Sequence, residues 1–191
     1  MVNKPRLFQA DTYHHLYNRG ANKQKVFFDI KDYNYFREKL LLYKLKYEIE
    51  ILCYCLMPNH FHFFVRQTKK DKPIGKFIGD LINSYSKTIN KKYRRSGILF
   101  EGRTKNKIVY DENAFPVLTK YILLNPVRAK LCGSFYEYEY SSAKELMGLS
   151  IKGITDKIIL NYFTDLNEFK KFILLEKEID LNLIYKLKKK V

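Results

Sequence analysis

The order of apolar and polar positions divides the chain into segments of two different periods. Thr12 to Asn18, TYHHLYN, has the composition of a short strand, and the RGANKQ that follows is turn-rich. Tyr33, Phe36, Leu40, Tyr43 and Tyr47 then recur at spacings of three and four. That is one face of a helix, which Asp29 or Asp32 is placed to cap. Alternation returns from Glu48 to Met57, EIEILCYCLM, rich in β-formers. Pro58 and Asn59 supply turn chemistry, and Phe61 to Gln67, FHFFVRQ, reads as the return strand of a hairpin. Ile74, Phe77, Ile78, Leu81, Ile82, Tyr85 and Ile89 make the stripe of a second helix, opening near Pro73 and expected to end at Gly97. KNKIVY, from Lys105 to Tyr110, reads as an edge strand. Asn113 is placed to cap a third helix through Phe115, Leu118, Ile122 and Leu124; Pro116 fits its first turn, and Pro126 is expected to end or kink it.

The resulting order, β-α-β-β-α-β, is the split βαβ arrangement of ferredoxin-like folds. The predicted class is therefore α+β with an antiparallel sheet, followed by a helix that carries Tyr121. Beyond it, YEYEYSSAKEL reads as a loop entering a short helix, and Asp165 and Glu168 have capping-box spacing before a helix through Phe169, Phe172 and Ile173. The tail KLKKKV is basic and expected to fray.

Composition adds a partner class. The 191 residues carry 36 Lys and Arg against 20 Asp and Glu, a formal charge of +16. Between Arg66 and Tyr110 stand 13 basic and 3 acidic residues, whereas from Ile151 to Val191 there are 9 and 6. A basic region of that kind suits a polyanion, most often nucleic acid. No run of about 18 apolar residues is present, which argues against a membrane span. The opening MVNKPRLFQADTYHH lacks the apolar segment of a secretory signal, and the three cysteines form no disulfide framework, so a reducing cytoplasm is expected.

The segment CLMPNHFHFFV concentrates the chemistry. On a strand, residues i and i+2 share a face, so His60 and His62 project together while Phe61 and Phe63 face the other layer. Two adjacent imidazoles are well placed to share a metal ion, although a short motif alone serves equally as a structural pair. In KYILLNPVRA, Tyr121 and Asn125 are four apart and lie on one helical face. A carboxamide oxygen there could complete a coordination sphere that two histidines begin. Cys53 and Cys55 continue the alternation of Ile49 and Ile51 and read as small buried hydrophobes rather than zinc ligands. His14 and His15 read as packing or substrate-facing residues, one of which could line the site. Glu101 is open between a catalytic role and a salt bridge.

Five segments in this order, YHHLYNRGANKQKVFFD, YCLMPNHFHFFV, NKKYRRSGILFEGRTK, YILLNPVRAKL and YEYSSAKE, resemble those of single-tyrosine HUH transposases, closest to the REP-associated tyrosine transposases. ILNYFTDLNEFKKFI resembles the tail of longer members, so the similarity extends to about Leu175. The resemblance implies a catalytic domain over residues 1–130, made of the ferredoxin-like core and tyrosine helix, and a helical extension over 131–191. It implies metal-dependent cleavage and rejoining of single-stranded DNA at hairpin-flanked sites, in DNA transposition or REP-element mobilisation. Tyr121 matches the nucleophile of a covalent 5′-phosphotyrosine, and His60, His62 and Asn125 match the ligands of a divalent metal, Mg²⁺ or Mn²⁺. The implied partner is hairpin-bearing single-stranded DNA, and relatives act as homodimers or as monomers. Arg19, Lys87, Lys91, Lys92, Arg94, Arg95, Arg103 and Lys105 are the candidate DNA contacts, with Tyr93 and Phe100 as aromatics among them. The alternatives are a domesticated member that binds DNA or RNA hairpins without cutting, and a hydrolase that uses water in place of tyrosine.

Overall fold

The computed structural model describes residues 10–71, 73–150, 153–175 and 179. Its elements are β1 (Thr12–Arg19), α1 (Ile30–Tyr47), β2 (Ile49–Met57), β3 (His60–Gln67), α2 (Ile74–Lys92), β4 (Lys105–Val109), α3 (Ala114–Arg128), α4 (Ala143–Leu146) and α5 (Leu166–Leu174), with 3₁₀ turns at Ala21–Lys23 and Ile158–Tyr162. The sheet runs β2-β3-β1-β4, antiparallel throughout. β1 and β2, both antiparallel to β3, are therefore parallel to each other, which is why α1 must cross over between them. This is the α+β, ferredoxin-like order expected.

Each face of the sheet buries its own core. Leu16, Phe61, Phe63 and Val65 turn toward α1 and α2 and pack with Phe36, Leu40, Phe77, Leu81 and Tyr85. Cys53, Cys55, Phe64 and Val109 turn the other way and pack with Phe115, Leu118, Ile122 and Leu123 of α3. The α1 cap uses both candidate acids. Asp29 Oδ1 accepts from the Asp32 N–H at 3.0 Å, and Asp32 Oδ2 accepts from the Asp29 N–H at 3.2 Å, a reciprocal capping box.

Several elements depart from the expected bounds. The second helix stops at Lys92, five residues before Gly97, because Arg94 takes a left-handed conformation (φ 49°) and the Arg95 N–H turns back to the Asn90 carbonyl at 2.8 Å. Asn113 holds the N-cap position of α3 but its side chain makes no cap bond; it donates to Asp111 Oδ1 instead. Pro126 does not end α3, which continues to Arg128. A register irregularity between Ile51 and Cys53 in the β2–β3 pair resets the alternation. Cys53 and Cys55 therefore lie on the α3 face, opposite Ile49 and Ile51, rather than continuing their series.

The described part of the extension packs on β2 and α3. Phe135, Tyr138, Leu146, Ile159, Phe169 and Ile173 join the α3-side core. The outer edge of β2 is covered: the Leu56 N–H donates to the Tyr140 carbonyl at 2.9 Å, Ser142 N–H to Tyr54 at 3.0 Å and Asp156 N–H to Ile51 at 2.9 Å. The KLKKKV tail lies outside the described residues.

Candidate nucleic-acid active site

Sheet register brings the candidate residues together. Arg19 pairs with His60 and Tyr17 with His62 across β1 and β3, and Lys105 of β4 pairs with Tyr17. α3 lies across β2 and β3 and sets Tyr121 against this patch. The Tyr121 ring is 5.5 Å from the His62 ring and 6.2 Å from the His15 ring, edge-on to both. His60 and His62 are themselves edge to face at 5.1 Å. Tyr17, Arg19, His60, His62, Lys105 and Tyr121, together with Asn18, Lys23, Asn59 and Glu101, line a cleft of about 490 Å³.

Hydrogen bonds fix the imidazoles. His62 Nδ1 meets His15 Nε2 at 2.9 Å, and His60 Nδ1 meets Asn59 Oδ1 at 2.7 Å. A carboxamide oxygen only accepts, so His60 Nδ1 carries the proton and Nε2 keeps its lone pair. Burial lowers the pKa of His60 and pushes that of His62 well down, the latter helped by its two histidine neighbours. Burial, with the nearby Lys107 charge, takes His15 to about 3. All three rings are thus neutral at physiological pH, the state a metal ligand needs.

Asn125 is oriented by the proline that follows it. Pro126 has no N–H for the carbonyl one turn back, that of Ile122. Asn125 Nδ2 turns onto this stretch of backbone, donating to the Tyr121 carbonyl at 2.8 Å, with the Ile122 carbonyl at 3.5 Å. Its Oδ1 is left as an acceptor beside His60 and Tyr121, with both of which the side chain interacts. Two neutral imidazoles with their Nδ1 atoms engaged and a carboxamide oxygen beside them make a donor set of mixed nitrogen and oxygen, which fits a divalent cation such as Mn²⁺ or Mg²⁺. No group of three or more His, Cys, Asp and Glu that could hold a metal occurs among the described residues.

Burial raises the Tyr121 pKa, while the Arg128 guanidinium, 5.7 Å from the ring, and the Asn125 side chain pull it the other way. Arg19 and Glu101 pair at the exposed rim, and this pairing lowers the Glu101 pKa.

The candidate cations divide. Arg19 and Lys105 line the cleft. Lys87 and Lys91 are exposed on α2, which packs with α1 on the opposite face of the sheet, and Lys92 is held there by Asp29 at 2.8 Å and Asp32 at 2.6 Å. Arg94 is exposed; Arg95 stacks on Phe28 at 5.4 Å and donates to Gln24; Arg103 is exposed on the turn entering β4. Tyr93 is half-buried, donates to Asp32 and packs against Phe28 at 4.6 Å, and Phe100 is 5% exposed in the α1–α2 core, so the Phe100 ring is not offered to a base. His14 faces that same layer, bonded to Thr12 and Asn106. Sequence reasoning did not place Tyr17, Lys23 or Asn59 in the site, reading Asn59 only as a turn residue, although Tyr17 lies two residues from His15 and shares its face.

The cleft thus gathers histidines, a tyrosine and basic residues at one place on a ferredoxin-like sheet. The chain belongs to the IS200-like transposase family, whose model matches residues 9–123. Among solved structures it is similar to the REP-associated tyrosine transposase bound to a REP hairpin, at 15% identity and a TM-score of 0.65, over 82% of this chain and 94% of that one. It is also similar to a putative transposase from Deinococcus radiodurans R1, at 15% identity and a TM-score of 0.44, over 63% of this chain and 95% of that one. No curated protein matches it. Among the described residues no helix is long and apolar enough to cross a membrane.

Proposed function

We propose that the chain cleaves and rejoins single-stranded DNA beside a folded hairpin, through a covalent 5′-phosphotyrosine on Tyr121. One observation carries this reading: Tyr121 on α3 meets His60 and His62 on β3 at a cleft edged by Arg19 and Lys105, with the Asn125 side chain bonded to His60. The solved relative with a bound REP hairpin supports the hairpin partner.

Arg19 and Lys105 hold the DNA backbone by charge. The Tyr121 oxygen gives up its proton as it attacks the phosphorus, the bond to the 3′ oxygen breaks, and that oxygen takes up a proton and leaves as a free 3′ hydroxyl. Burial keeps the phenol protonated until it attacks, and Arg128 and Asn125 ease loss of the proton. His60, His62 and Asn125 would hold a divalent ion, Mg²⁺ or Mn²⁺, which when bound neutralises the non-bridging oxygens and stabilises the charge built up in the transition state. The phosphotyrosine conserves the bond, so a second 3′ hydroxyl displaces Tyr121 and rejoins strands without a nucleotide cofactor. Residues 1–130 are taken as the catalytic domain and 131–191 as an extension, whose described part packs on β2 and α3.

The test is incubation with labelled single-stranded DNA from the flanks of the chain's own gene, with Mn²⁺ or with EDTA. A covalent band on a denaturing gel that needs Mn²⁺ and vanishes in Tyr121→Phe, with DNA binding retained, is expected. Binding without any adduct would support a non-cutting hairpin binder; cutting without an adduct would support a water-using hydrolase.

A further inference from the structure

The cleft contains a second phenol that this chemistry leaves unused. Register sets Lys105, Tyr17 and His62 in one row across β4, β1 and β3 on a single face, at strand spacings of about 4.8 Å. Tyr17 is the middle residue of the row, and all three side chains line the cleft beside α3. The Tyr17 ring lies 4.8 Å from His15 and 5.9 Å from His62, tilted 32° and 26° to them. Lys105 Nζ lies over the Tyr17 ring, 5.8 Å from its centroid. Among the described residues the Tyr17 hydroxyl has no hydrogen-bond partner, unlike the phenols of Tyr54, Tyr85 and Tyr138, which are tied into the core. Tyr17 is half-buried, whereas the core rings Phe61 and Phe63 on the other face are fully buried.

We propose that Tyr17 is a stacking platform for one unpaired base next to the phosphate that Tyr121 attacks, with Lys105 holding that nucleotide's backbone. This deepens the reading of the cleft as a single-stranded DNA site and rests on it. A base inside a duplex has both faces covered by its neighbours, so only an unstacked nucleotide can lie on a tyrosine ring. Every base has a π-face, so the contact selects single strand over duplex and leaves choice of sequence to other residues.

The test uses Tyr121→Phe chain in EDTA, which removes cutting from the readout. Hairpin DNA from the gene's own flanks, with 2-aminopurine placed at successive unpaired positions, is titrated with this chain and with versions also carrying Tyr17→Phe, Tyr17→Leu or Tyr17→Thr. The expected result is quenching at one position adjacent to the cleavage point, kept in Tyr17→Phe and lost in Tyr17→Leu and Tyr17→Thr, with affinity about tenfold weaker. Duplex DNA should bind all versions alike. A measurement that needs no Tyr17 variant is photocrosslinking of 5-iodouracil at the same position, which should mark Tyr17 within the peptide Leu7–Arg19. Equal quenching with and without the ring, or a crosslink elsewhere, would overturn the assignment. If Tyr17 behaves as expected while the chain with Tyr121 intact forms no adduct, the cleavage reading fails and the stacking site stands.

Discussion

At the scale of single residues, Asn125 shows how one side chain serves both the helix and the site. Its amide nitrogen is spent on α3 backbone beside Pro126, and its oxygen is thereby directed toward His60. Asn125→Ala should abolish Mn²⁺-dependent adduct formation while leaving hairpin binding in EDTA within about twofold, as read by gel shift; an unchanged adduct yield would remove Asn125 from the ligand set. His15 acts through His62, fixing its ring through the 2.9 Å contact. Outer partners of metal-bound imidazoles typically matter 10–100-fold, so His15→Ala should weaken Mn²⁺ affinity by roughly that factor, measured by the Mn²⁺ concentration for half-maximal cleavage. The facing of His60 and His62 was legible in the sequence because period two on a strand leaves no alternative. The role of His15 was not, because its partner lies on a strand 47 residues away and only register joins them.

At the scale of elements, the extension closes an edge of the sheet and fixes the helix that bears Tyr121. Lys120, next to the proposed nucleophile, donates to the Phe172 carbonyl at 2.9 Å at the end of α5, where a cation also meets the negative end of the helix. Glu145 of α4 ties the extension to β2. It accepts from the Tyr54 hydroxyl, from the Ile154 and Thr155 N–H groups and from Thr155 Oγ1, each at 2.9 Å, and it is 3% exposed. Glu145→Ala leaves those donors buried and unpaired, so urea unfolding should report a loss of about 3 kcal/mol; a loss under about 1 kcal/mol would show that the extension is held by its apolar contacts alone. Element types were legible here and their ends were not. Helix α2 ends where Arg94 turns left-handed, a choice made by Tyr93 and Lys92 binding Asp32 on another helix, and β2 changes face at an irregularity that no composition marks.

At the scale of the whole molecule, a charge of +16 attracts DNA without saying where it lies. The fold divides the cations into two groups on opposite faces of the sheet. Salt dependence distinguishes them: Arg19→Gln and Lys105→Gln should each flatten the slope of log affinity against log salt by about 0.7. Lys92→Gln should leave that slope unchanged and lower thermal stability instead, because Lys92 holds Asp29 and Asp32. A shallower slope in Lys92→Gln would move the DNA track onto α2. The central claim, that Tyr121 becomes joined to DNA, is tested most directly by mass spectrometry of the trypsin-digested adduct. The account expects a 5′-phosphonucleotide on the peptide Tyr121–Arg128, YILLNPVR, only when Mn²⁺ was present. A nucleotide on the Tyr17 peptide, or DNA cut with no peptide modified, would contradict it.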